Sequence, residues 1–138
     1  MPSAKQPKKI VLFIDRSLGK KQVARALREK GAAVKIHDDL FLQNAEDRDW
    51  LLTCGRKSWI VLTKDSRIRY RAIEREAVRQ SGTRVFVLVS SRLRGNEMAE
   101  AFVRALGRIG RMANNNDGPF IAKVYKDGKV SMWIDFSE

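Results

Sequence analysis

Short apolar runs recur along the chain at intervals that suit a sheet with intervening helices. Three of them, residues 10–14, 59–63 and 85–89, are apolar at nearly every position and rich in β-branched residues. Such runs are typical of strands buried on both faces of a parallel sheet. Residues 33–37 form a shorter run in which apolar and polar positions alternate, which predicts a strand nearer the edge of the sheet.

Segments with helical periodicity separate these strands. Apolar residues recur at helical spacing in residues 20–30 and 96–112, and residues 68–80 are rich in helix-forming types. A shorter helix is predicted to begin at Asp47, a good N-cap residue, and to end at Gly55. This alternation of strands and helices predicts an α/β fold with three layers, α/β/α, around a mostly parallel central sheet.

The C-terminal part of the chain changes character after an Asn-, Gly- and Pro-rich break. Two β-rich runs there are joined by Asp127-Gly128, which is a strong hairpin signal. We predict a flexible basic tail over residues 1–9 and a single domain over residues 10–138, with a β-hairpin extension at residues 119–136.

Aspartates follow two of the buried strands. Asp15 and Asp65 each close an apolar run, and ligand sites in open parallel sheets form beyond the carboxyl ends of strands. Asp47 and Asp49 can face the same crevice, and the polar residues 38–47 are predicted to form a mobile loop over it. Clustered carboxylates without a thiolate or histidine cluster favour Mg²⁺ or Mn²⁺, which can activate water against a phosphodiester. The alternative role for each aspartate is a helix cap.

The net charge of the chain indicates which class of molecule it binds. The 138 residues include 28 Lys+Arg and 16 Asp+Glu, a formal net charge of +12, which favours a polyanion such as nucleic acid. A solubility device or a surface for an acidic protein is the alternative. No apolar run is long enough to span a membrane and no secretory signal is visible. Cys54, the only cysteine, excludes an internal disulfide and fits a reducing cytoplasm.

Basic residues follow Asp65 at a spacing of four. The set consists of Arg67, Arg71, Arg75 and Arg79. On one helix this spacing predicts a continuous arginine ridge that leads away from the acids and can track phosphates. A solvated helix face, partly paired with Glu74 and Glu76, is the alternative. Lys64 is predicted to lie at the crevice itself, and the single histidine, His37, is predicted to be structural.

Three motifs resemble those of PIN-like domains, the metal-dependent nuclease fold that includes the VapC-type toxins of bacterial toxin–antitoxin systems. In chain order they are Phe13-Ile14-Asp15-Arg16, Asp47-Arg48-Asp49-Trp50-Leu51-Leu52 and Val61-Leu62-Thr63-Lys64-Asp65. The continuation from Ile68 to Glu74, and then Phe86-Val87-Leu88, is similar to one subgroup of PIN-like toxins. The resemblance covers about residues 10–112.

The resemblance implies RNA cleavage with Mg²⁺ or Mn²⁺ held by three or four acids. It makes Asp15 and Asp65 metal ligands and gives the middle position to Asp47 or Asp49, with the spacing to Trp50 favouring Asp47. It also implies a cognate antitoxin as partner, and PIN-like proteins often form homodimers.

The chain departs from the family pattern just after Asp65. Many relatives place another acid shortly beyond that point, whereas Ser66, Arg67 and Ile68 follow here. Glu74 and Asp39 are the candidates for an additional acid.

These observations support three hypotheses about function. The first is a metal-dependent ribonuclease, the toxin of a toxin–antitoxin pair. Its acids would be Asp15, Asp65 and Asp47 or Asp49, and its RNA-binding residues would be Lys64, Arg67, Arg71 and Arg75. The second is a non-catalytic RNA- or DNA-binding PIN-like domain with a degenerate acid set. The third is a receiver-like signalling domain, because acids follow the first two predicted strands and Asp65 could imitate a phosphoacceptor.

Overall fold

The computed structural model describes residues 10–19, 21–65, 67–90 and 92–136. The predicted basic tail, residues 1–9, lies outside the described residues. Within them, no helix is both long enough and apolar enough to cross a membrane.

Six strands form one sheet. In chain order they are β1 (Val11–Ile14), β2 (Ala33–Ile36), β3 (Ile60–Thr63), β4 (Arg84–Leu88), β5 (Phe120–Val124) and β6 (Val130–Asp135). Their order across the sheet is β2-β1-β3-β4-β5-β6, and only the β5–β6 pair is antiparallel. The mostly parallel α/β architecture and the C-terminal hairpin are therefore confirmed. The alternating strand β2 lies at an edge, as its pattern predicts, whereas β6 extends the sheet on the other side.

Helices connect the strands. They are α1 (Gln22–Glu29), α2 (His37–Leu40), α3 (Asp47–Lys57), α4 (Arg67–Tyr70), α5 (Ala72–Ser81) and α6 (Gly95–Asn115), with a 3-10 turn at Arg16–Leu18. The segment predicted to be an irregular loop, residues 38–47, thus begins within a short helix, and His37 belongs to that helix and not to β2.

Apolar side chains fill both faces of the sheet. Leu12 and Ile14 of β1 point to the face covered by α1 and α6, whereas Phe13 between them points to the face covered by α3 and α5. All three are buried, and burial of a side chain of this size contributes roughly 1.5–3 kcal/mol. Strands that are apolar on both sides are stable only between two helical layers, which explains the unbroken runs in the sequence.

Helix α3 differs from the prediction at both ends. Glu46 is its N-cap, so Asp47 is the first helical residue and its side chain is available for other contacts. The helix passes through Gly55 and ends where Ser58 adopts a left-handed conformation with φ of 58°. Gly55 serves close packing instead, because a Cβ at this position would lie 1.8 Å from the carbonyl oxygen of Ser81.

The predicted helix over residues 68–80 is broken in two. Arg71 has extended backbone angles, φ −119° and ψ 119°, and separates α4 from α5. The four arginines therefore do not form one continuous helical ridge, and the structural premise of that prediction is wrong.

Candidate active site

Asp15 directly follows β1 and is the most buried acid of the site. Its side chain is 7% exposed, and its Oδ2 accepts hydrogen bonds from Thr63 Oγ1 at 2.7 Å and from Ser17 Oγ at 2.7 Å. Its backbone N–H donates to the carbonyl of Leu62 at 3.0 Å, which continues the pairing of β1 with β3 past the last strand residue. The carboxylate is consequently held in one orientation.

Thr63 connects this carboxylate to the acid at the end of the neighbouring strand. While its hydroxyl donates to Asp15, the same oxygen accepts from the backbone N–H of Asp65 at 3.0 Å. The N–H of Lys64 donates to Ser17 Oγ at 3.0 Å, so both hydroxyls hold the two strand ends together. The Thr-x-Asp spacing thus has a physical role, because the threonine fixes the turn that presents Asp65.

A cavity of about 170 Å³ opens at this edge of the sheet. It is lined by Asp15, Arg16, Ser17, His37, Ala45, Asp47, Trp50, Asp65 and Arg67. The structure therefore brings together three of the acids predicted from sequence, one from each of β1, β3 and α3. Ala45 places the segment before α3 over the cavity.

Two other predicted acids lie elsewhere. Asp49 is exposed on α3 and is not part of the cavity lining. Asp39 lines a different groove, of about 630 Å³, between α1 and the end of β2. Of the pair Asp47 and Asp49, it is Asp47 that lies at the site.

Arg67 joins two of the acids. Its Nε donates to Asp65 Oδ2 at 2.8 Å and its Nη2 donates to Asp47 Oδ2 at 3.0 Å. Burial by itself would raise the pKa of Asp65, but the hydrogen bonds from Arg67 and the positive charges of Arg67 and Arg71 outweigh burial and lower it. The same contacts raise the pKa of Arg67, so the guanidinium remains charged.

Glu74, on α5, reaches the acids from the other side. Burial, a side-chain hydrogen bond with Asp47 and the negative charge of Asp47 together raise the pKa of Glu74. Asp47 also accepts a hydrogen bond from Trp50 Nε1 at 3.1 Å. Glu74 is therefore the additional acid that the structure places beside the cluster, while Asp39 is not.

Comparison with known proteins agrees with this geometry. A family model described as "PIN like domain" matches residues 10–90, more than half of the chain. The chain belongs to the PIN-like domain family. This PIN-like domain is also 31% identical, over 118 residues, to "Putative ribonuclease VapC45" of Mycobacterium tuberculosis (strain ATCC 25618 / H37Rv), a match that covers 83% of this chain and 85% of that protein. No solved structure matched the chain. The resemblance stated from the aspartate motifs is confirmed.

The remaining basic residues of this PIN-like domain differ in their surroundings. Lys64 is half-buried beside the strand end, and Arg71 is exposed close enough to Asp65 to lower its pKa. Arg75 donates to the carbonyl of Ile68 at 3.3 Å and lies 6.0 Å from the ring centroid of Trp133. Arg75 thus ties α5 to α4 and to the hairpin, whereas Lys64 and Arg71 lie nearer the acids.

Five residues that were not predicted as site residues line the cavity: Arg16, Ser17, His37, Ala45 and Trp50. Arg16 lies at the mouth, where Nη1 donates to the carbonyl of Gln43 and Nε lies 3.5 Å from Asp38 Oδ1. His37 is 1% exposed, and its Nδ1 lies 2.9 Å from the same Asp38 oxygen. The available signal for Arg16 was its position directly after Asp15. His37 also packs against the ring of Trp50, with centroids 5.8 Å apart, which fits the predicted structural role.

The side chains of the acid cluster are of the type that binds a hard divalent cation, but they are not arranged as the ligands of a metal site. Carboxylate oxygens are the ligands that Mg²⁺ and Mn²⁺ prefer. In the described part of the chain, however, no three His, Cys, Asp or Glu side chains are grouped as metal ligands would be. The guanidinium of Arg67 lies between Asp47 and Asp65 instead. Asp15, Asp47, Asp65 and Glu74 are the residues that could hold a cation once that guanidinium moves aside.

Proposed function

We propose that this PIN-like domain is a divalent-metal-dependent ribonuclease that hydrolyses RNA phosphodiesters at its aspartate cluster. The observation that carries the proposal is the convergence of Asp15, Asp47 and Asp65 on one small cavity in a chain of net charge +12. Three separate elements deliver these acids, and an acidic cavity in a chain of positive net charge suits a polyanion cut with the help of a cation. The ribonuclease named among its relatives supports the same activity.

The acids would hold Mg²⁺ or Mn²⁺, and the rest of the cavity would orient the substrate. When bound, the cation supplies Lewis-acid polarisation of the phosphodiester and makes a water molecule easier to deprotonate. Asp15 is held in one orientation by the two hydroxyls that donate to it. Trp50 and His37, whose rings pack edge to face, form part of the cavity lining beside the acids.

Basic residues at the rim would bind the RNA backbone. Arg16 lines the cavity with a half-exposed side chain, and its contacts with Asp38 and the carbonyl of Gln43 limit the freedom that it would lose on exchanging them for a phosphate. Lys64 and Arg71 lie beside Asp65 and are proposed to contact neighbouring phosphates. Arg67 and Arg75 are engaged with protein groups, and a role for either in RNA binding requires release from those partners.

We also propose the partners that the family implies. The relative is named as a VapC protein, and a VapC-type toxin is neutralised by a cognate antitoxin. A homodimer is the proposed oligomeric state. Co-expression with the product of an adjacent small reading frame, followed by co-purification, would test the antitoxin.

Substitution of the acids tests the activity. Asp15→Asn and Asp65→Asn preserve side-chain shape, and each is expected to reduce Mg²⁺- or Mn²⁺-dependent RNA cleavage by about a hundredfold or more, because the cation contributes several kcal/mol to such reactions. Asp49→Asn is the matched control, since it is the same substitution at an exposed aspartate outside the cavity lining. It is expected to cleave RNA like the wild type. Cleavage by the Asp15 and Asp65 variants at the wild-type rate would overturn the assignment.

A second candidate function is favoured by one observation. The ion pairs of Arg67 with Asp47 and Asp65 would be a permanent structural feature in a non-catalytic RNA- or DNA-binding domain. That function predicts salt-sensitive RNA binding and no metal-dependent turnover in the wild type. The family match favours either PIN-like function over the receiver-like hypothesis.

A further inference from the structure

The contacts of Arg67 are unusual for an arginine beside a proposed cation site. Its guanidinium donates to both oxygens of Asp65 and to Asp47, acids that come from two different elements. For comparison, the ion pair of Arg79 with Glu76 lies on the exposed face of α5 and involves a single acid at helical spacing. Arg67 thus does more than neutralise one neighbour, because it bridges the two sides of the acid cavity.

The Arg67 guanidinium lies between Asp47 and Asp65, at the position that a divalent cation would need. Two carboxylates that face one cavity repel each other unless a positive charge lies between them. A guanidinium and a hard cation both relieve that repulsion, but they compete for the same carboxylate oxygens. The absence of a metal-ligand grouping within the described residues is consistent with this, since the two acids are oriented toward Arg67.

Arg67 can leave without loss of core packing. Its side chain is 44% exposed, and it starts α4, a single helical turn. The apolar contact of α4 with the core is made by Ile68, which is buried. Rotation of the Arg67 side chain toward solvent therefore breaks charged hydrogen bonds but creates no cavity among the apolar residues.

We propose that Arg67 is an internal counter-cation of the acid cavity, which Mg²⁺ or Mn²⁺ must displace in order to bind Asp47 and Asp65. The inference rests on the proposed metal-dependent function. It assigns to Arg67 the control of metal affinity, in place of the phosphate contact predicted from sequence. Metal binding includes the loss of the Arg67 contacts, so the intact chain binds the cation more weakly than its acids alone would.

Direct titration with Mn²⁺ tests this inference without RNA. Free Mn²⁺ is measured by electron paramagnetic resonance against the chelator-treated full chain, as wild type, Arg67→Ala, Arg67→Lys and Arg79→Ala. We expect Arg67→Ala to bind Mn²⁺ about ten- to a hundredfold more tightly than the wild type, which is the scale of the charged hydrogen bonds that need not be broken. Arg67→Lys, which keeps the charge but not the planar bridge, is expected to lie between the two.

The controls separate a specific effect from a change in net charge. Arg79→Ala also removes one positive charge, from the exposed face of α5, and is expected to leave Mn²⁺ affinity within about twofold of the wild type, because exposed charges are screened by salt. In the double variant Arg67→Ala, Asp65→Asn, the gain should disappear, which would locate the cation at the acid pair. Melting curves recorded beforehand confirm that each variant is folded.

Three results would overturn the inference. These are Mn²⁺ affinity in Arg67→Ala no higher than in Arg79→Ala, a gain that survives loss of Asp65, and no Mn²⁺ binding by Arg67→Ala at all. None of them depends on RNA cleavage. A gain in Mn²⁺ affinity alongside undiminished cleavage by the Asp15 and Asp65 variants would support the internal counter-cation and reject the ribonuclease assignment, so the two proposals fail separately.

Discussion

At the scale of single residues, Thr63 determines how the two strand-end acids are presented. It is 1% exposed, and its hydroxyl is at once a donor to Asp15 and an acceptor for the N–H of Asp65. The hydroxyl thus uses its one donor hydrogen and one acceptor lone pair, and its oxygen also lies 3.1 Å from Ser17 Oγ. Its removal leaves Asp15 and the N–H of Asp65 without these hydrogen bonds.

Thr63→Val removes the hydroxyl and keeps the shape of the side chain. We expect it to lower the free energy of unfolding by about 1–3 kcal/mol, because the N–H of Asp65 and one oxygen of Asp15 lose a buried partner. Thr53→Val is the control, since the Thr53 hydroxyl makes one exposed contact, 3.3 Å to the carbonyl of Asp49. Urea unfolding of both variants measures the difference. Equal stability of the two variants would contradict the role given to Thr63.

The place of Glu74 beside the acid cluster could not be predicted from the sequence pattern. Asp15, Asp65 and Asp47 were recognisable because each follows a strand or begins a helix, where the backbone itself directs the side chain to the edge of the sheet. Glu74 lies inside a helical segment, and its approach to Asp47 depends on how α5 packs against α3. That packing is a tertiary property, so the sequence could offer Glu74 and Asp39 only as possible additional acids.

At the scale of elements, the order and type of the strands were predictable, and the helix boundaries were less so. Runs such as residues 85–89 are apolar on both faces, which only a strand between two helical layers satisfies. The break at Arg71 was not predictable, because residues 68–80 are all helix-forming. Tertiary contacts override this propensity: Ile68 is buried and Arg75 donates to its carbonyl, which ties α4 to α5 at an angle that one helix could not adopt.

Gly55 is a point of close approach between α3 and the end of α5. A Cβ there would lie 1.8 Å from the carbonyl oxygen of Ser81, whereas a Cβ at Gly107, in the exposed part of α6, would have its nearest neighbour at 3.5 Å. We expect Gly55→Ala to lower the free energy of unfolding by about 1–3 kcal/mol through overpacking. Gly107→Ala is expected to raise it by about 0.5–1 kcal/mol, because alanine is the better helix former. Urea unfolding checks both, and a Gly55→Ala variant as stable as the wild type would show that the two helices are not in close contact.

At the scale of the whole molecule, the net charge of the chain is positive whereas the cavity at the edge of the sheet is lined by acids. The acids lie together at the carboxyl edge of the sheet, in a chain whose net charge is +12. The field of the whole protein therefore attracts a polyanion, while the local field of the cavity attracts a small cation. Arg16 lies where the two regions meet, at the mouth of the cavity. Arg111 lies near the C-terminal end of α6, next to Gly110. A Cβ at Gly110 would contact Ile10, the residue before β1, so this end of α6 lies at the opposite edge of the sheet from the acids.

This arrangement predicts that the salt dependence of RNA affinity comes from basic residues at the edge of the sheet that carries the acids, and not from those at the opposite edge. Binding is measured by fluorescence anisotropy in the presence of a chelator, over about 50 to 200 mM salt, and affinity should fall linearly on logarithmic axes. Arg16→Ala is expected to reduce that slope by about one, since one phosphate contact is lost. Arg111→Ala removes the same charge from the opposite edge and should leave the slope unchanged. Equal slopes for the two variants would mean that net charge alone, and not the rim of the acid cavity, governs RNA binding.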